Sequence, residues 1–267
     1  MTTRDTPFAP GTPCWVDLLS SDAEGAKAFY GSLFGWTFND AGPDFGGYVT
    51  FLSDGHNVAG MMQKTADMPM PDGWSTYLST ADAVATVAAA TAAGGQVLME
   101  PMAVADLGSM AMLADSSGGA FGLWQAGTHT GFGKYNEPGS VTWDEYHSKD
   151  FAATTSFYPK VFGWTLEKTS DTDEFRYYTA QVNGETVAGI MDSASFLPAE
   201  VPSHWTLYFS VPDVDAAVAK AVELGGSVVR PGEDTPFGRM ADLLDPTGAG
   251  FKLHSATLSD GTTIQPT

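Results

Sequence analysis

Residues 28–36 read AFYGSLFGW and residues 156–164 read SFYPKVFGW; five of the nine positions are identical, and they are the aromatics and one glycine. The likeness extends well past this stretch. VAGMM at 58–62 returns as VAGIM at 187–191, and WSTYLSTADAVATVAAATAAGG from Trp74 returns as WTLYFSVPDVDAAVAKAVELGG from Trp205. DSSGGAFGLW at Asp115 returns as DPTGAGFKLH at Asp245. The offset stays between 128 and 131 residues, so the halves run in register with very small insertions. Self-similarity of this kind restricts the chain to a duplicated domain before any local propensity is weighed.

Each half divides again. An extended apolar segment at 14–19 is followed by Asp22, which can cap a helix carrying Ala26, Phe29, Tyr30 and Leu33 at helical spacing, and Gly35 ends it. Short runs near 36–38, 48–52 and 58–62 follow, separated by Gly, Asp and Asn turns. The next unit repeats the order, with a strand at 75–80, an alanine-rich helix at 82–93 and strands near 96–99, 109–114 and 121–125. The pattern β-α-β-β-β therefore occurs four times, which predicts an α+β fold. Paired units form two domains, 10–126 and 141–258, joined by a Gly- and Pro-containing linker at 127–140. Phe29 and Tyr30, like Phe157 and Tyr158, are expected on the buried faces of equivalent helices packed on a curved sheet. Pro159 falls inside the third helix and is expected to kink it or shorten its last turns.

Composition narrows the function. Twelve basic against 32 acidic residues give a formal charge of −20, a field that repels phosphate backbones and anionic membranes and favours neutral or cationic ligands. No nucleic-acid or membrane partner is expected. Cys14 is the sole cysteine, which rules out a disulfide framework or a cysteine-based zinc cluster. No apolar run approaches the ~20 residues of a membrane span. The opening residues lack the basic start and apolar core of a signal peptide, so a cytoplasmic location is expected.

Four β-α-β-β-β units, the pattern D-x6-FY-x3-FGW and the pattern D-P-x-G-x-x-F-x-L at 245–253 together resemble the vicinal oxygen chelate superfamily. That superfamily holds glyoxalases, bleomycin- and fosfomycin-resistance proteins and extradiol dioxygenases. The tandem arrangement is most similar to an actinobacterial two-domain group that includes a mycobacterial culture-filtrate antigen and is often labelled hydroxylase. The resemblance implies that paired units curl a mixed sheet into a cup, one cup per half. It also implies where a divalent metal would be chelated: on a unit's first strand, seven residues before the helix-capping Asp, and on its last strand, seven residues after the Asp of the D-P-x-G turn. Counted here, those places hold Trp15, Trp143, Ser75, Thr206, Gly122 and Lys252. Indole has no lone pair to give, glycine has no side chain, an ammonium repels the ion, and isolated hydroxyls are weak ligands. No metal ligand and no cofactor is therefore expected.

Strand alternation puts Trp15 with Asp17, and Trp143 with Glu145 and His147, on one face. Tyr77 and Tyr208 follow on the partner units. If that face lines the cup, each half presents a Trp, a Tyr and a carboxylate, suited to a flat, partly apolar ligand. The tryptophans can equally plug an obsolete cavity, and Asp17 and Glu145 can equally be structural, paired with a tyrosine, Arg239 or a backbone N–H. Glu145 and His147 form a candidate catalytic acid/base pair, and Arg239 is a candidate for holding a ligand carboxylate or carbonyl or for neutralising Glu145. Leu19 and the 107–109 segment stand at the corresponding first-half places, which makes the second cup the more polar one. The expected function is metal-independent binding of a small aromatic or polyketide-like molecule, such as sequestration of an antibiotic or metabolite. The alternative is a glyoxalase-like lyase, hydroxylase or dioxygenase acting on a small carbonyl or aromatic substrate. Internal duplication favours a monomer over a homodimer.

Overall fold

A computed structural model describes residues 3–264. In the first half, β1 (Pro13–Ser20), α1 (Ala23–Phe34), β2 (Thr37–Asp40), β3 (Val49–Ser53) and β4 (His56–Gln63) form one unit. The next comprises β5 (Gly73–Ser79), α2 (Ala83–Ala92), β6 (Gln96–Val104), β7 (Gly108–Ala114) and β8 (Ala120–Ala126). The second half repeats both, with β9 (Val141–Ser148), α3 (Phe151–Phe162), β10 (Thr165–Asp171), β11 (Arg176–Val182) and β12 (Glu185–Asp192), then β13 (His204–Ser210), α4 (Val214–Glu223), β14 (Ser227–Thr235), β15 (Gly238–Leu244) and β16 (Gly250–Ser255).

Both halves build the same mixed eight-stranded sheet, ordered β2-β3-β4-β1-β5-β8-β7-β6 and β10-β11-β12-β9-β13-β16-β15-β14. The first strands of the two units pair antiparallel in the middle, as Trp15 opposite Tyr77 and Trp143 opposite Tyr208. Each then pairs parallel with the last strand of its own unit. Each helix starts where an Asp accepts from the backbone N–H three residues on: Asp22 from Gly25 at 2.9 Å, and Asp82, Asp150 and Asp213 from Ala85, Ala153 and Ala216 at 3.0 Å. Gly35 and Gly163 end α1 and α3 in the left-handed conformation, at φ 73° and 70°. Pro159 does not shorten α3, which runs the same 12 residues as α1. A proline this near the C-terminus removes a single helical bond, and the Pro159 carbonyl still closes the last turn by accepting from Gly163 at 2.9 Å.

The helices are shared between halves. α1 lies against α4, and α2 against α3. Tyr30 donates to Asp245 in the second half at 3.0 Å, and Tyr158 donates to Asp115 in the first half at 3.0 Å. Trp74 and Trp205 donate in turn to these tyrosine hydroxyls, at 3.1 and 2.9 Å. The repeated tryptophans cross as well: Trp36 donates to the Gly139 carbonyl at 2.7 Å, and Trp164 to that of Gly11 at 2.9 Å. Each buried cluster mixes the halves, Phe29, Tyr30 and Phe51 with Phe209 and Phe251, and Phe121 and Leu123 with Tyr146, Phe157 and Trp205. The repeated nonapeptide thus packs each helix on its own sheet, as expected, and also forms the seam between halves.

One polar pair breaks this symmetry. Asp144 on β9, 4% exposed, accepts from the hydroxyl of Thr76 on β5 at 2.8 Å. Burial pushes its carboxyl up to about 7, against the Thr76 bond that lowers it. Burial, with the Asp144 charge, also drives the neighbouring Cys14 thiol upward. Among the described residues no helix is long and apolar enough to cross a membrane.

Candidate functional site

Both cups carry the same quartet of indole, carboxylate and two phenols. In the first, Trp15 donates to Asp17 and approaches the Tyr48 hydroxyl, both at 2.9 Å, and Tyr48 donates to Asp17 at 2.5 Å. Tyr77 acts on the same carboxylate. Burial raises the Asp17 carboxyl, and the bonds from Tyr48, Tyr77 and Trp15 hold it back without reversing the shift. A Cβ on Gly60 would lie 1.8 Å from the Tyr48 hydroxyl, and one on Gly122 2.1 Å from the Tyr77 ring, so both strands need a bare backbone there. The linker seals this cup. His129 meets the Trp15 ring edge-on at 4.5 Å and Phe132 packs on it at 5.6 Å, leaving Trp15 3% exposed. Burial takes the His129 imidazole down to about 4.

In the second cup Trp143 donates to Tyr177 at 3.0 Å, and Tyr208 donates to Glu145 at 3.1 Å. Gly189 lies beneath the Tyr177 hydroxyl as Gly60 lies beneath that of Tyr48. Two residues are added. His147 Nε2 is 2.8 Å from Glu145 Oε1, and Lys252 Nζ is 3.2 Å from the same nitrogen, 3.0 Å from the Tyr208 hydroxyl and 3.6 Å from Glu145. Burial alone would raise the Glu145 carboxyl. The His147 hydrogen bond, the Lys252 charge and the Tyr177 hydroxyl outweigh it and hold the group at about 2. An ionised carboxylate only accepts, so the proton of this contact is on His147 Nε2. His147 Nδ1 is buried without a hydrogen-bond partner.

The aromatic residues around this cup differ too. Among the described residues no aromatic ring is paired with Trp143, which keeps part of its surface exposed. Phe175, 41% exposed, stacks on Tyr177 at 5.8 Å. Phe196, 55% exposed, meets His147 edge-on at 6.3 Å, and His204 stacks on that imidazole at 5.2 Å.

The structure therefore brings together Trp143, Glu145, His147 and Tyr208 in one cluster and Trp15, Asp17 and Tyr77 in the other. It does not bring Arg239 to either. Arg239 is bound to Asp215 at 2.8 Å and Asp234 at 2.9 Å, and Lys252 neutralises Glu145 in its place. Two carboxylates on neighbouring elements hold the guanidinium by a bidentate contact, stronger than a single distant one. Tyr48, Tyr177 and Lys252 are the members that sequence reading missed.

The model of the glyoxalase/bleomycin resistance protein/dioxygenase superfamily matches this chain twice, over residues 14–122 and 145–253. The chain belongs to that superfamily. Within the superfamily it is 41% identical over 265 residues to the anthracycline biosynthesis protein DnrV of Streptomyces peucetius, covering 93% of this chain and 94% of that one. It is 37% identical over 251 residues to the putative glyoxylase CFP32 of Mycobacterium tuberculosis, covering 92% and 95%. Among solved structures, a Mn(II)-bound glyoxalase from Novosphingobium aromaticivorans superposes with a TM-score of 0.64 at 16% identity, over 96% of this chain and 84% of that one. The 2,3-dioxygenase LapB from Pseudomonas superposes with a TM-score of 0.61 at 15% identity, over 98% and 96%. At such identities the superfamily's fold is what these structures share with the chain.

A metal ion, which several superfamily members use, does not fit the residues found here. Among the described residues no three His, Cys, Asp or Glu side chains converge on one point. Glu145 and His147 are the nearest to a donor pair, and the Lys252 ammonium occupies the space beside both. In the first cup the Tyr77 ring fills the place over Gly122.

Proposed function

We propose that this chain binds a planar, polycyclic aromatic small molecule in its second cup, without a metal ion. The observation that carries the reading is Lys252, which ties up the carboxylate and imidazole a metal would need, while Trp143, Phe175 and Phe196 keep part of their surface exposed. Exposed aromatic faces over a floor of a few fixed polar groups suit a flat ligand held by stacking. The 41% likeness to a protein named for anthracycline biosynthesis supports a polyketide-derived ring system as the class. The net charge of −20 favours ligands that arrive neutral or cationic. The first cup serves as scaffold, and because the helix contacts between halves are completed within one chain, the unit of function is a monomer.

Calorimetric titration with a hydroxyanthraquinone tests this. Binding with one site per chain is expected, weakened roughly tenfold or more by Trp143→Ala, since a stacked aromatic pair adds about 1 kcal/mol beyond the area it buries. Absence of binding to every planar polycycle offered, at the solubility limit, would overturn the reading.

A further inference from the structure

One buried group in the second cup is left unexplained by the binding reading. His147 is 6% exposed, its Nε2 is committed to Glu145, and its Nδ1 has no partner. An orphaned buried nitrogen costs stability unless a ligand completes it. The groups facing this imidazole are Glu145, Lys252, Tyr208, Tyr177 and His204. The shorter contact, 2.8 Å to Glu145 against 3.2 Å to Lys252, places a proton on Nε2, and a ring carrying that single proton presents a lone pair at Nδ1 and so accepts. Its missing partner is a donor.

Resting on the proposal that the second cup binds an aromatic ligand, we infer that the ligand carries an acidic hydroxyl, a phenol or enol, whose proton His147 Nδ1 takes on binding. The ligand O–H bond breaks, an N–H bond forms at Nδ1, and the electron pair stays on oxygen as a phenolate or enolate. No co-reactant is needed. The charge of the site does not change: Glu145 balances Lys252 beforehand, and the new imidazolium balances the new anion afterwards. Lys252 supplies the cationic environment that holds the anion, and Glu145 orients and stabilises the protonated ring, as a carboxylate does for a general base. Phe196, more than half exposed, lies edge-on to His147 and borders the ring on its outer side. The bulk charge of −20 explains why the ligand is ionised inside the cup instead of entering as an anion.

The test uses alizarin and its dimethyl ether with the native protein, at a pH where free alizarin is neutral. Calorimetry reports binding, and the absorption spectrum reports ionisation, because phenolate formation shifts the dye band to the red. Alizarin is expected to bind with the red-shifted band. The ether is expected to bind roughly tenfold or more weakly without a shift, the cost of leaving Nδ1 unpaired. His147→Asn, with its melting curve recorded as a fold control, should abolish the shift and weaken alizarin binding to about the level of the ether. Alizarin bound in its neutral form to the native protein would overturn this inference and leave the binding reading standing, as would an unchanged red shift in His147→Asn. Failure of both dyes to bind would overturn the binding reading and this inference with it.

Discussion

The Tyr30 hydroxyl lies 3.0 Å from Oδ2 of Asp245, 215 positions away along the chain. The other carboxylate oxygen accepts from the Thr247 and Ala249 backbone and from the Thr247 hydroxyl, so Tyr30 serves Oδ2 by itself among the described contacts. Tyr30→Phe keeps the ring and removes that donor. It should cost about 1–3 kcal/mol, the usual penalty for leaving a buried acceptor short of a partner. Tyr158→Phe, which uncaps Asp115, should cost the same. Urea midpoints that stay at the native value in both variants would rule out the seam as a source of stability.

On the proposed reading, Lys252 has the task of keeping a metal out. The native chain should retain well under one divalent ion per molecule after incubation with Zn(II), Mn(II), Fe(II) or Ni(II). Lys252→Glu would place a second carboxylate beside Glu145 and His147, replacing repulsion by a third donor. Elemental analysis of that variant should find bound metal; equal, stoichiometric metal in the native chain would contradict the account of the site.

Asp144 predicts a pH dependence of stability. Its folded carboxyl is raised from 3.8 to about 7 by burial, so between those values the folded chain holds a proton that the unfolded chain has released. Stability therefore falls as pH rises through this window, by an amount on the order of 4 kcal/mol. Asp144→Asn cannot ionise and should remove that slope. Urea titrations at a series of pH values, read as the difference between variant and native protein, separate this group from Asp17, which burial shifts in the same direction.

Phe132→Ala opens a void against Trp15 and Phe8 in the sealed cup. A loss of about 3–5 kcal/mol is expected, as for other buried phenylalanines. Dye affinity should be unchanged, because the linker covers the first cup only. A comparable loss of affinity would place the ligand in both cups.

Much of this architecture was legible in the sequence. Four Asp residues ahead of four apolar helices, two left-handed glycines and a 128–131-residue offset define the units without reference to tertiary contacts. The Trp–carboxylate alternation on β1 and β9 was readable for the same reason: period two is a local property. Tyr48 and Tyr177 were not, because they reach the carboxylates from beyond β4 and β12, and pairing register across turns is not a local property. Lys252 could be recognised as a non-ligand from its charge, but its role as counter-ion to Glu145 depends on the parallel pairing of β13 with β16. Arg239 was assigned to the wrong carboxylates because nothing in the chain order announces that Asp215, 24 residues earlier, comes back beside it. The exchange of helices was equally hidden: periodicity says which face of α1 is buried, not against what.

That exchange has a consequence for how the protein is made. A nascent chain emerges from its N-terminus, and independent domains fold in that order. Tyr158 finds Asp115 only 43 residues behind it, already synthesised. Tyr30 must wait for Asp245, near the end of translation. The part of the α1 face that meets Phe209 and Phe251 therefore stays uncovered for most of the time the ribosome spends on this message, and the first half reaches its final packing only after the second has followed it out of the exit tunnel.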